Sequence, residues 1–240
     1  MPHFFIDSKN VNNNVAVISD KENYNHIVKS LRAKTGENIL LIDENQIQYE
    51  GVIEKIDKNS IEIKVTKSYK SKRSLAFKLY LAQSPLRSEA QSLIIEKATE
   101  LGLEGVYPIF SDNCALKKSV IEQKVQKWQK IMFEASKQCE RAYIPTCFEP
   151  SELNSLLKNG DFDRVLAFTE RDSQYRLKDY LAQNPIKKDE KILIIIGPEG
   201  GFSPQEFEYF NNSKITTLSL GDLILKAETA VIMALGNIVL

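Results

Sequence analysis

The sequence predicts an α/β fold, with a small β-barrel first and then a larger domain built on a mainly parallel sheet. Three observations carry that reading. The first third is dense in short runs of β-branched and aromatic residues with partial two-residue alternation. A polar, basic stretch without apolar anchors, "KSYKSKRS" (Lys67 to Ser74), follows it. Beyond that stretch, apolar strand-like runs alternate with helical segments, as in a parallel sheet covered on both faces. The expected domains are residues 1–70 and 74–240.

In the first domain the strand candidates are "HFFI", "NVAVI", "NILLI", "QIQYEGVIEKI" and "SIEIKVTKS". One helix is expected among them, from Glu22 to Lys34, with Gly36 as its stop. In the second, "LAFKLYLA" reads as a strand and "SEAQSLIIEKATELG" as a helix opened by Ser88 and closed by Gly102. "GVYPIF" is a strand, and a long helix is expected from about Val120 to Ala142, short of Pro145. "RVLAFTE", "KILIII" and "ITTLSL" are strands, and "AETAVIMALGNIVL" is a closing helix.

Composition narrows the function classes. Lys and Arg number 32 against 32 Asp and Glu, so no bulk field points to nucleic acid or membrane, and local patches would have to carry any such contact. The three cysteines (Cys114, Cys139, Cys147) and two histidines form no metal-ligand spacing, and an odd cysteine count is a poor disulfide framework. "MPHFFIDSKN" lacks the basic and apolar regions of a signal peptide, and no apolar run reaches membrane-spanning length. The expectation is a cytoplasmic protein without metal or membrane contact.

The most informative stretch is "IIIGPEGGFSPQEFEYF", Ile194 to Phe210. A strand enters a glycine-rich turn and the turn enters a helix, a layout that often cradles phosphate. The residue types argue otherwise. Phe202 and Ser203 stand where a phosphate loop needs lysine and a hydroxyl, and the dinucleotide spacing G-x-G-x-x-G is absent, which makes a nicotinamide oxidoreductase a distant alternative. Ser203, Pro204 and Glu206 make a capping box, with Phe202 and Phe207 at the staple positions, so the helix amides are already used. Glu199 would repel an anion. A plain tight turn explains "GPEGG" as well as a ligand loop does. A second strand–glycine–helix passage, "LSLGDLILKAETA", favours the ligand loop, because ligands of open α/β sheets bind where such loops meet at the strand ends.

Those two motifs, "IIIGPEGGFSPQE" and "LSLGDLILKAETAVIMAL", resemble the SPOUT superfamily of S-adenosylmethionine-dependent methyltransferases. They are most similar to its RsmE-type members, which methylate N3 of a uridine in 16S (small-subunit) ribosomal RNA. "IEKATELG", "WQKIMFEASKQCERAYIP" and "HIVKSLRAKTGE" agree, the last with the helix of the family's PUA-like domain. The resemblance runs along essentially the whole chain. It implies a trefoil-knotted parallel sheet behind a PUA-like barrel, a homodimer in which both subunits build each site, and action on the 30S subunit. A different RNA target, such as transfer RNA or a ribose 2′-oxygen, or a non-catalytic assembly factor, would keep the same fold.

The resemblance also implies the site residues. Gly197, Gly200 and Gly201 would form one wall of the cofactor pocket, Leu218, Leu220, Gly221, Ile224 and Leu225 the other, and Thr169 and Glu170 a third. Uridine N3 carries a proton at neutral pH, so a base is needed, and Glu199 and Glu228 are the candidates. Arg141 is the candidate for stabilising the uracil oxygens. Glu228 at a helix start and Arg141 near a helix end also suit the helix dipole without any chemistry. For RNA phosphates the candidates are His26, Lys29 and Arg32, spaced to share a helix face, together with Arg87 and Lys226. The chain departs from the family after the second Leu-Gly: Asp222 and Leu223 replace a proline or basic pair, and Lys226 precedes Ala227 where arginine is usual.

Overall fold

The computed structural model describes residues 3–71, 74–169, 173, 175–213 and 215–240. It divides into two compact units, residues 1–74 with 136–144, and residues 75–135 with 145–240. Placing 136–144 with the first unit departs from the linear division expected from the sequence.

The first unit carries one six-stranded sheet. Its strands are β1 (His3–Phe5), β2 (Val11–Asn12), β3 (Val15–Ile18), β4 (Asn38–Ile42), β5 (Ile47–Ile56) and β6 (Ile61–Lys70), ordered β1-β4-β5-β6-β3-β2. Only the β1–β4 pairing is parallel. Register shifts between Glu50 and Gly51 and between Ile53 and Lys55 bend the long β5–β6 ribbon around the core. Alternation supplies that core: Ile61, Ile63 and Val65 point inward from β6, against Phe4, Ile18, Ile39 and Leu41.

The expected helix over Glu22–Lys34 does not form as one helix. Asp20 caps α1 (Lys21–Asn25), a π-helical turn follows at His26–Ser30, and Arg32 lies past it with φ 54°. The π turn breaks the three-residue spacing, and Arg32 has left the helix. His26, Lys29 and Arg32 therefore do not share one helix face.

The second unit is a parallel sheet with helices on both faces. Its strands are β7 (Lys78–Gln83), β8 (Gly105–Phe110), β9 (Thr146–Cys147), β10 (Ser151–Glu152), β11 (Arg164–Phe168), β12 (Tyr175–Arg176), β13 (Lys191–Ile196) and β14 (Thr216–Ser219). The order is β10-β8-β7-β13-β11-β14-β12, with β9 also on β8, and every pairing is parallel. The helices are α2 (Ser88–Glu100), α3 (Lys118–Glu122), α4 (Val125–Gln138, ending in the first unit), α5 (Leu153–Asn159), α6 (Leu177–Gln183), α7 (Pro204–Asn211) and α8 (Ala227–Val239).

Strand alternation feeds two cores. On one face Leu79, Leu81, Leu166, Ile192, Ile194 and Ile196 pack with residues of α2, α4, α6 and α8. On the other, Ala82, Ala167, Leu193 and Ile195 meet Leu153 and Leu156 of α5 and Phe210 of α7. Both faces of β13 are thus buried, which is why "ILIII" reads as an unbroken apolar run.

Two helix expectations change. The long helix breaks between α3 and α4, and α4 stops at Gln138, with Glu140 in the left-handed region at φ 54°. Neither glycine nor proline marks either point, so residue type carries no signal there. At α2 the N-cap position falls on Arg87, and the Gln91 side chain instead accepts from the Leu86 N–H at 2.8 Å. Gly102 ends that passage with φ 92°.

Ile194 is fully buried in the central strand. Ile194→Ala should lower unfolding free energy by about 2–5 kcal/mol, read as a drop in the urea midpoint at unchanged slope.

Candidate functional site

The order of the central strands makes the site. The chain leaves β11 through α6 and returns as β13 on one side; it then passes through α7 and returns as β14 on the other. Phe168, the last residue of β11, is in register with Ile196 on one edge and Leu218 on the opposite edge. The Thr169 N–H extends the second pairing by donating to Leu218 O at 3.0 Å. The loops after β13 and β14 therefore start level with each other on either side of Thr169, and this is where an open parallel sheet binds ligands.

They border a cleft of about 830 Å³ within the second unit. Gly197, Gly200 and Gly201 line one side; Leu218, Leu220, Gly221, Ile224 and Leu225 line the other; Thr169 lies between. Glu199, Lys226 and Glu228 also line it. Glu170 lies outside the described residues. Arg87 is exposed at the start of α2, three residues before the cleft-lining Ala90, and is not itself on the wall. His26, Lys29, Arg32 and Arg141 belong to the first unit. Arg141 is buried, with its guanidinium 4.4 Å from the Tyr143 ring centroid.

The glycine loop is held from several sides. Ser203 Oγ accepts the Glu206 N–H at 3.2 Å while Glu206 Oε2 accepts the Ser203 N–H at 2.7 Å, and Phe202 meets Phe207 edge to face. Gly201 sits at φ 69°, a conformation that excludes most side chains. Sequence reasoning missed the turn after β8, where Asp112 accepts from Ser203 Oγ at 2.5 Å and Asn113 contacts the loop carbonyls. Those polar residues follow a strand without a glycine or charge motif to mark them.

The two helix starts facing the site differ. The start of α7 is closed by its capping box. At α8 the N-cap residue is Lys226, and no side chain among the described residues caps it. Asp222, the unexpected acid, has a partner: Arg176 Nη2 on β12 donates to it at 2.5 Å. That exposed pair ties the β12 edge to the second loop.

Two features fit a small organic ligand in the cleft. Thr169 is 6% exposed and its hydroxyl has no hydrogen-bond partner among the described residues, so a buried polar group awaits one. Leu220, Ile224 and Leu225 offer accessible apolar surface for a flat ring. Among the described residues no cluster of His, Cys, Asp and Glu could hold a metal. Burial pushes the Cys147 thiol up to about 12, which keeps it protonated and unreactive.

Residues 73–239 match the RNA methyltransferase domain family, and residues 18–66 match the RNA methyltransferase PUA domain. The chain belongs to the RNA methyltransferase family. It is 28% identical to the ribosomal RNA small subunit methyltransferase E of Bacillus subtilis over 90% of this chain and 87% of that protein. It is likewise 28% identical to the protein of that name from Mesomycoplasma hyopneumoniae, over 98% and 97% of the two chains. A methyltransferase from Legionella pneumophila, solved with the bound cofactor SAM, superposes with a TM-score of 0.85 at 26% identity, over 99% of this chain and 96% of that one. The expected fold class, a SPOUT-type methyltransferase sheet behind a small PUA-like domain, is the fold observed. No helix among the described residues is long and apolar enough to cross a membrane.

Burial raises the Glu206 carboxyl above its ordinary value of 4.5. A raised carboxyl favours the folded state fully below the ordinary value, and that contribution is lost as pH rises through the folded one. Glu206→Gln keeps the capping acceptor without the charge. Its melting temperature relative to the native protein should therefore climb as pH rises above the ordinary carboxyl value of 4.5, measured by thermal denaturation across a pH series.

Proposed function

We propose that this protein transfers a methyl group from S-adenosylmethionine to N3 of a uridine in 16S ribosomal RNA, acting on the small ribosomal subunit. The observation that carries the reading is the convergence on one cleft of two glycine loops and a Thr169 hydroxyl that has no partner among the described residues, in a chain of the RNA methyltransferase family. The names of its relatives supply the ribosomal substrate.

Bound there, S-adenosylmethionine supplies an electrophilic methyl group. Gly197, Gly200 and Gly201 let the backbone approach it, Leu218, Leu220, Gly221, Ile224 and Leu225 enclose its apolar surface, and Thr169 completes the wall. Lys226 and the uncapped amides of α8 favour a carboxylate at that end of the cleft.

The uridine N3 proton has to leave as the methyl arrives. Glu199 is the residue assigned to accept it. It lies on the cleft wall, and among the described residues no hydrogen bond or ion pair engages it. Glu228 lines the same cleft but sits in the first turn of α8, where the helix dipole already accounts for a carboxylate. Arg141, whose guanidinium lies 4.4 Å from the Tyr143 ring centroid, is the assigned partner for the uracil oxygens. His26, Lys29, Arg32, Arg87 and Lys226 are the assigned phosphate contacts.

The same reading includes the trefoil crossing of the sheet, a cytoplasmic location and a homodimer. Leu223 and Ile224, 82% and 62% exposed beside the cleft, support a second copy covering them.

Small-subunit RNA from cells lacking this methylation should gain 3-methyluridine when incubated with enzyme and labelled cofactor, as read by nucleoside mass spectrometry. A ribose methyl, methylated transfer RNA or no product would each overturn the assignment. Glu199→Gln should lower kcat by about 10²–10⁴-fold while cofactor affinity stays unchanged by calorimetry; a full rate in that variant would remove Glu199 as the base.

A further inference from the structure

The turn Ser111–Cys114, after β8, lines no part of the cleft yet is bonded to two of the strand exits around it. Ser111 Oγ donates to Ser84 Oγ at 2.7 Å at the end of β7, and the Ser84 N–H donates to Ile196 O at 3.1 Å at the end of β13. Asp112 accepts from Ser203 Oγ, the cap of α7. Between them Asn113 Nδ2 donates to Gly200 O at 3.3 Å and to Gly201 O at 3.1 Å.

We infer that Asn113 is a positioning residue for the cofactor loop, an inference that rests on the reading of the cleft as an S-adenosylmethionine site. One amide nitrogen takes both carbonyls of the Gly-Gly pair, so it sets the orientation of two successive peptide planes. A trans peptide holds its C=O and N–H antiparallel. Turning Gly201 O toward Asn113 therefore turns the Phe202 N–H away from it. The Gly201 N–H is already taken by Pro198 O at 3.0 Å, which closes the turn from the other side. Contact is close as well as polar: a Cβ on Gly200 would come within 3.0 Å of the Asn113 Cβ. The loop thus packs tightly on Asn113 at Gly200, and its cleft-facing edge is set before any ligand arrives. Asn113 acts through Gly200 and Gly201 and has no part in the proton transfer.

Calorimetry and initial rates with the full-length protein test the assignment. Asn113→Ala should weaken S-adenosylmethionine binding about tenfold, the scale of one lost net hydrogen bond. Asn113→Asp, of the same shape but with an oxygen facing two carbonyls, should weaken it further. In both variants kcat at saturating cofactor and RNA should stay within about twofold of the native value, because a preformed loop lowers the cost of binding and not the barrier. Unchanged affinity in both variants overturns the inference, and so does a fall in kcat without a change in affinity. If the Asp variant does not fold, the Ala variant decides alone. A native protein that binds no S-adenosylmethionine would overturn the reading of the cleft itself, whereas native binding with unaltered variants would overturn only the role of Asn113.

Discussion

Pairing of β11 on both edges is the constraint on which the site depends. A parallel strand has no local partner, and each neighbour must return from a crossover. Here β13 and β14 arrive on opposite edges of β11 by separate helices, in register at Phe168. Had both returned on the same side, their following loops would diverge along the sheet edge. Because they do not, two glycine passages that lie about a helix and a strand apart in sequence face each other across one residue, Thr169. The buried Ile194 and Ile196 on one face, and Leu193 and Ile195 on the other, hold that register by packing both faces at once.

The two loops are then finished in opposite ways. After β13 much of the loop is tied down: the capping box closes α7, Gly201 O and Gly200 O lie on Asn113, and Ser203 is shared with Asp112. After β14 the loop carries exposed Leu223 and Ile224, an uncapped helix start, and the Asp222–Arg176 pair as a tie at its outer edge. An exposed ion pair is worth little by itself, about 0–1 kcal/mol. A tied wall facing a more exposed one suits the proposed use of the cleft for a cofactor and a nucleotide.

Much of this was legible in the chain because it is local. The period-2 runs, Gly102 as a helix stop, and the Ser203–Pro204–Glu206 cap with its Phe202–Phe207 staple are set by residues a few positions apart, and each forms as read. The misreadings have one origin. His26, Lys29 and Arg32 looked periodic, but a π turn and a left-handed Arg32 answer to the packing of Ile27 in the first core. The division of the long helix into α3 and α4 follows packing of Ile121, Val125 and Trp128, with no glycine or proline to announce it. Two-residue strands such as β9, β10 and β12 are too short to show any period.

By itself the sequence determined the layers, the longer strands and most of the longer helices, and the chemistry available to each glycine loop, because those depend on side-chain type and on neighbours within a few residues. It also excluded a phosphate cradle at Gly197–Gly201 on residue type alone. Only the tertiary structure decided that β13 and β14 flank β11, that Asn113 reaches Gly200 and Gly201 from 87 and 88 residues away, and that Asp222 meets Arg176. Those are contacts between distant segments. They become favourable only once the sheet has closed the loops between them, and no local pattern records that closure.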